Sequence, residues 1–507
     1  MDLDEITFSQ QLKHSGGHVQ FSPNGKYIAA ALDKRVVIRN PVTLDVIAHH
    51  SCIDNVTALQ WAPNSELFLC ASSKKSVVQV FSVSDAEWHC RVKEGLAGLT
   101  SVHWAPDSLH ILTFSDFNLH LTVWSLVTQN MFIIRQPKGC FTFSSDDEVM
   151  AVATRRSCKD WISMYQLEEE TWQCQIEFQL ETLDVESISF SPNNSSIIAF
   201  DTELHYLFQV YSLDGTLLAS YKAYDDALGI RVSSVSPSGY FVAVGSYDQS
   251  TRLISPLTWK PVLEYKHVTH PMHLPSSSLC PDITYHCEVD EKSTEESDSQ
   301  VHSNKENLLQ NSLRRIGSES EISLHSFLKN NSNSICLNHT NKVKSLARRS
   351  QAAGKPIHAT KVTFASELPS QLPCTTPDYR KANPKLGVGL LSWSYTGRYL
   401  ATRNDNMPRV LWIWDSQSIG LRAIVAFLEP IRSMKWQPQD ECLALCTGNQ
   451  RLYLWNPSGL FWLDAPDGFE VHGMRWSEGS GSMLALLAKD KATICYMEKD
   501  EDGRDEH

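Results

Sequence analysis

Six potential zinc ligands crowd one short stretch of this chain: His267, His270, His273, Cys280, His286 and Cys287. A zinc site needs closely paired ligands presented by a folded knuckle. Here the gaps are irregular and the segment is rich in Pro and Ser, so a solvated loop is expected and no metal. Gly387-Val388-Gly389 lacks a third glycine and opens a strand, not a helix, which removes a dinucleotide loop. The sequence contains no Gly-x-Ser-x-Gly elbow, no phosphate loop and no His-Glu-x-x-His. Catalytic groups need not be neighbours in sequence, but nothing here marks an enzyme, and no cofactor is expected.

Charged turns carry more information. Lys34-Arg35, Lys74-Lys75, the run Arg155-Arg156-Ser157-Cys158-Lys159-Asp160, and Arg403-Asn404-Asp405-Asn406 each separate two apolar runs. Gathered on one rim, such turns are placed to dock an acidic partner segment. Arg155, Arg156, Lys159, Arg403, Asn404 and Asp405 are therefore the candidate contacts, although a single turn of this kind is ordinarily just solvated. Further along, Arg314-Arg315-Ile316-Gly317-Ser318 precedes Glu319-Ser320-Glu321 and offers Ser318 to basic- and acid-directed kinases. Phosphate there adds about two negative charges beside two arginines. Lys305-Glu306-Asn307 spells a mitotic degradation box. Ile316, Ile322, Leu324, Phe327 and Leu328 can form a short amphipathic segment that folds on a partner, with an unfolded spacer as the plainer reading.

The elements that position these turns repeat along the chain. An aromatic or apolar residue, Ser or Ala, often Pro, a turn and an apolar run recur nine times, beginning at Phe21, Trp61, Trp104, Phe143, Phe190, Val235, Trp393, Trp436 and Trp476. Examples are FSPNGKYIAA, WAPNSELFLC and WSYTGRYLATRND. The starts lie 39 to 47 residues apart, except for one gap of 158. A period near 40 residues marks the blade of a β-propeller. Pro with Asn, Asp or Gly turns the chain after the first strand, small and β-branched residues form the second, and a third ends in an aromatic such as Phe81, Trp124, Tyr211, Trp414 or Trp455. One blade cannot bury both faces of its sheet, so blades stack about an axis. The repeats are degenerate: only Trp414-Asp415 is a true Trp-Asp pair, and the sole Gly-His pair, Gly17-His18, lies outside the blades.

Between His267 and Ala382 the composition shifts to Ser, Asn, Glu, Lys and His without strand alternation, and removing those 116 residues leaves a normal spacing of 42. The expected organisation is thus six blades in 1–266, a disordered insertion in 267–382 that cannot repay chain ordering, three blades in 383–498, and a charged tail in 499–507. Deleting 267–382 is expected to leave a folded protein. Residues 6–12 supply a plausible fourth strand for 493–497, which would close one all-β, WD40-like ring of nine repeats. Propellers usually have roughly four to eight blades, so seven or eight with irregular extra strands stays open.

At 507 residues and 42% hydrophobic content the chain has ample material for a core. The start MDLDEITF has neither a basic nor an apolar leader region, and no apolar run of about 18 residues occurs, so neither secretion nor a membrane span is expected. A formal net charge of −13 argues against general nucleic-acid binding. Thirteen Cys are scattered without a framework, and a reducing compartment is expected.

The phrases EWHCRVKEGLAGLTSVHWAPDSLHIL from Glu87, SLDGTLLASYKAYDDALGI from Ser212, GSYDQSTRLISPLTWK from Gly245, ANPKLGVGLLSW from Ala382 and LATRNDNMPRVLWIWD from Leu400 resemble the WD-repeat-containing protein eight family, encoded antisense to a tumour-suppressor-related gene. The resemblance covers both sides of the insertion but not the insertion itself. It implies a non-enzymatic scaffold in the cytoplasm and cytoskeleton, at centrosomes, centriolar satellites and spindle poles. The implied partners are a coiled-coil protein, the synovial-sarcoma-X-breakpoint-interacting protein or its counterpart, and a minus-end-directed kinesin. The implied work is anchoring microtubule minus ends, organising the mitotic spindle and promoting cilium assembly. No ligand residues transfer with it. Two other classes compete: a substrate receptor of a ubiquitin ligase, identified by a cullin adaptor, and a propeller enzyme, identified by turnover that depends on polar channel residues.

Overall fold

The computed structural model describes residues 6–168, 171–271, 274, 278–290, 360–365, 369–381, 383–479 and 481–497. Ser318, Lys305-Glu306-Asn307, the apolar positions of 316–328 and the tail 499–507 lie outside the described residues. The chain forms two compact units, Met1–His286 with Ala365–His507, and Cys287–Phe364. In the second, the described residues 287–290 and 360–364 are extended. The first contains nine antiparallel sheets, and the count left open by the sequence is nine.

Each sheet begins with an inner strand that ends at the first residue of the recurring phrase, an aromatic in eight blades and Val235 in blade six, as in Val19–Phe21, Ala58–Trp61, Ser101–Trp104 and Ser433–Trp436. The repeated phrase has a hydrogen-bond explanation at each position. The Ser after the aromatic folds its own hairpin: its Oγ accepts the backbone N–H five residues on, at 3.0 Å for Ser22 from Tyr27, Ser144 from Val149, Ser191 from Ser196 and Ser394 from Tyr399. The fifth residue of the phrase has a positive φ in the first seven blades, and Gly25, Gly239 and Gly397 take it without the steric cost borne by Ser65, Ser108, Asp147 and Asn194. The aromatic ties neighbouring blades together. The indole N–H of Trp61, Trp104, Trp393, Trp436 and Trp476 donates to the backbone carbonyl of Gln20, Gln60, Ser234, Ser392 and Lys435, respectively, at 3.0–3.3 Å. Each acceptor lies on the inner strand of the preceding blade.

Between these contacts the second and third strands bury small and branched side chains against the next sheet. The same packing joins the last blade to the first, with Met483, Ala485 and Ile494 against Val19, Phe21 and Ile28. The ring is therefore closed. Two short N-terminal strands, Thr7–Phe8 and Leu12–Lys13, complete the ninth sheet by pairing with Lys491–Tyr496. They remove the exposed edge of that strand.

Blade seven departs from the sequence reading. Its second strand, Tyr399–Asn404, and third, Val410–Asp415, bury mostly apolar side chains, with Trp412 and Trp414 stacked 5.7 Å apart and Thr402, Asn404 and Asp415 buried among them. Trp414 Nε1 donates to Thr402 Oγ1 at 2.8 Å, and Thr402 Oγ1 lies 2.7 Å from His267 Nε2. The other imidazole nitrogen, Nδ1, is 2.9 Å from the Gln249 carbonyl. His267, expected to open a solvated insertion, is instead 4% exposed and spans two blades. The strand Leu279–Asp290 lies outside the fourth strand Gly420–Ala426 in this sheet. His286 is buried in it, and Cys280 Sγ is 2.9 Å from Ser418 Oγ. Leu372 is buried in the same core, and its N–H donates to Thr269 O at 2.8 Å. The packed chain thus extends well past 266 and resumes before 383, because a polar composition hides these few anchoring side chains.

Burial lowers the imidazole pKa of both His267 and His286 to about 4. An unfolded chain titrates these groups near 6.5 and so binds more protons than the folded ring between the two values. Stability is fully present above pH 6.5 and is lost as pH falls towards 4, by on the order of 3 kcal/mol for each group. Urea midpoints measured from pH 7.5 to 4.5 should fall steadily, and His267→Gln should flatten the slope. An unchanged slope in that variant would show that the histidine is not held neutral.

Candidate protein-binding face

Antiparallel order places two kinds of connection at one end of every blade: the turn from second to third strand, and the crossing from fourth strand to the next blade. Backbone bonds fuse them into a continuous rim. Cys52 N–H donates to Lys34 O at 2.7 Å, Glu94 to Ser76 O at 3.1 Å, Gln136 to Leu119 O at 3.1 Å, and Arg155 to Gln136 O at 2.9 Å. The charged turns expected to share one edge do share it.

Several arginines on this rim are tied down, some between blades and Arg156 within blade four. Arg155 Nη1 reaches Asp184 Oδ1 at 2.7 Å and Asp160 Oδ1 at 3.0 Å, and the Asp160 carboxylate is buried and also accepts the Val185 N–H at 2.7 Å. Lys138 pairs with the same Asp184. Arg156 forms a two-pronged pair with Glu177, at 2.8 and 2.5 Å, which holds the Glu177 carboxyl below its ordinary range. Arg403 donates to Ile431 O at 2.8 Å and to Asp405 Oδ1 at 3.0 Å, while Asp405 also receives Arg231 at 2.6 Å. Asn404 is fully buried, with Nδ2 3.0 Å from Gln249 Oε1, and has no surface to offer a partner. Of the six candidates, Lys159 alone is exposed. Lys74 and Lys75, in the short helix Ser73–Lys75, and Lys93 are exposed on the same rim.

A feature absent from the sequence reading lies between them. The crossing after the strand His89–Lys93 and the turn after His110–Phe114 meet over a buried carboxylate, Glu94. Its oxygens accept from Thr113 Oγ1, from His120 Nε2 at 3.1 Å and from Trp124 Nε1 at 3.3 Å. Glu94 takes the place that His267 holds in blade seven. Above it Leu96, Phe117 and Leu119 stand exposed. Single apolar residues in turns give no signal in a sequence, because their company is set by tertiary contacts. Among the described residues no three His, Cys, Asp or Glu side chains converge as a metal cage. No helix there is long and apolar enough to cross a membrane.

Comparison with known proteins agrees with this architecture. The model of the WD domain, G-beta repeat, matches residues 215–255, which run from the end of blade five through the third strand of blade six. The mouse WD repeat-containing protein WRAP73 is 35% identical over 501 residues, covering 98% of this chain and 97% of that protein. The chain belongs to the WRAP73 family. The uncharacterized WD repeat-containing protein C32H8.09 of Schizosaccharomyces pombe is 22% identical to this chain over 514 residues, 94% of this chain and 90% of its own length. Among solved structures, the C-terminal WD40 domain of Sif2 matches 88% of this chain and 97% of that chain, with 9% identity and a TM-score of 0.46. As a WRAP73-family member the chain is a WD-repeat protein with the propeller architecture of a scaffold.

Proposed function

We propose that this chain is a non-enzymatic scaffold of centrosomes, centriolar satellites and spindle poles. It binds a coiled-coil partner, the synovial-sarcoma-X-breakpoint-interacting protein or its counterpart, and with a minus-end-directed kinesin anchors microtubule minus ends. Spindle organisation and cilium assembly follow from that anchoring. The observation that carries the reading is the end-to-end correspondence with WRAP73, in which both chains are covered almost completely. The rim of blades one to four supports it, since exposed lysines there suit the acidic outer face of a coiled coil.

Because Arg155 and Arg156 are held in ion pairs, the residues to change are the exposed lysines. Lys74→Glu, Lys75→Glu and Lys159→Glu together should weaken the coiled-coil partner at least tenfold at low salt, less at high salt, with the melting temperature unchanged. Titration of purified proteins measures this. Proximity labelling in dividing cells tests the wider reading: labelling of pericentriolar proteins is expected, and labelling of a cullin adaptor in their place would replace the scaffold with a ubiquitin-ligase receptor.

A further inference from the structure

We propose that Leu96, Phe117 and Leu119 form a preformed knob that docks an acidic amphipathic helix of the partner. This deepens the scaffold reading and rests on it for the partner's identity, but the surface stands on its own geometry. Leu96 is 109% exposed, Phe117 95% and Leu119 57%. They stand on two connections of the same rim that touch each other. The turn carrying Phe117 and Leu119 is pressed against the crossing that carries Leu96: Thr100 Oγ1 donates to Asp116 Oδ1 at 3.0 Å, and a Cβ on Gly98 would stand 2.0 Å from Asp116 Oδ2. On the other side a Cβ on Gly139 would stand 3.0 Å from Asn118 Nδ2. Two glycines therefore make room for the turn, and their positive φ, 77° at Gly98 and 87° at Gly139, strains any residue with a side chain there.

Phe117 has φ 56° and ψ 22°, a left-handed conformation that Asn or Gly adopts at less cost than an aromatic. Its ring meets solvent, so no packing within the chain offsets that strain. Bulky residues held this way, on a turn fixed from both sides, mark recognition sites more than folding needs. The charge around the knob selects the occupant. Lys74 and Lys75 sit on the turn whose Ser76 carbonyl binds the Glu94 N–H, Lys93 begins the crossing, and Arg135 is paired opposite His120 at the end of the neighbouring strand. Of the carboxylates here, Glu94 is buried in its cage, and Asp116, exposed on the turn itself, accepts Thr100 Oγ1, so it stands against three lysines and Arg135. Isolated apolar side chains on a knob offer no strand edge for backbone pairing. A helix presenting an apolar stripe flanked by Glu and Asp meets both the knob and the lysines.

The test uses the full chain and two probes. The first is a panel of acidic amphipathic helical peptides with matched Glu→Lys counterparts; the second is the full-length coiled-coil partner. Wild type should bind acidic peptides and not their basic twins, and affinity should fall several-fold between 50 and 300 mM salt. Phe117→Asn should lose at least tenfold while its melting temperature stays or rises, since Asn suits the left-handed backbone. Leu96→Asn should lose binding as well. Tyr240→Asn, an exposed aromatic in a turn at the other end of blade six, should change nothing. Equal binding of acidic and basic peptides, no binding of the acidic ones, or an indifferent Phe117→Asn would overturn the knob. If acidic peptides bind by these rules and the full-length partner does not, the knob stands and the scaffold's partner is wrong.

Discussion

A chain lacking residues 267–382 is expected to aggregate or to melt far below the intact protein, and a chain lacking only 291–359 to keep its ring. The larger deletion removes His267 and leaves the buried Thr402 Oγ1 and Gln249 O without its imidazole. It also removes the strand Leu279–Asp290 from the side of blade seven, and Leu372 from the core shared with Trp412 and Trp414. His267→Ala alone should cost roughly 3 kcal/mol, combining a cavity with orphaned polar groups. The removal of several such side chains adds to that. Gel filtration and thermal melts of the two deletions decide the matter. A 267–382 deletion that melts with the intact protein would return His267 to the solvated loop suggested by composition.

Removing residues 1–13 should open the ring at its seam. Ser9 alone makes four closing contacts: N–H to Ile494 O and Oγ from Ile494 N–H, both at 2.8 Å, its carbonyl from Thr493 Oγ1 at 2.9 Å, and Oγ beside Thr493 Oγ1 at 3.4 Å. Leu12 is buried between blades nine and one. At about 1 kcal/mol for each of the three good hydrogen bonds and about 2 for the leucine, the loss is on the order of 5 kcal/mol. The exposed edge of Lys491–Tyr496 becomes a template for other chains. Limited proteolysis should then cut first in blade nine, and light scattering should rise with concentration. A monodisperse truncated protein with an intact blade nine would show that side-chain packing, not strand pairing, closes the wheel.

The sequence made the repeat legible because its cues are local. The aromatic, the Ser and the left-handed fifth residue all act within one hairpin or on the blade just before it. The pairing of 6–12 with the last strand could be read the same way, from a missing strand at each end. His267 was not legible because its partners, Thr402 and Trp414, are 135 and 147 positions away across a polar segment. One signal was there: the only blade that kept a Trp-Asp pair is the one in which a His serves the Trp. Asp415 itself caps the following turn, accepting Gln417 N–H at 2.8 Å and Ser418 N–H at 3.2 Å. The candidate face was half legible. The charged turns are legible, but not that Asp160, Asp184 and Glu177 neutralise their arginines, nor that the connections carrying Leu96 and Phe117 meet.

The seams between blades have an evolutionary reach. Five tryptophans grip a main-chain oxygen, a group that every amino acid supplies. A mutation at Gln20, Gln60, Ser234, Ser392 or Lys435 leaves the acceptor in place, so one blade can diverge without a matching change in its neighbour. Such a joint is blind to side-chain identity, which lets duplicated units drift apart until scarcely any family hallmark survives while the wheel stays whole.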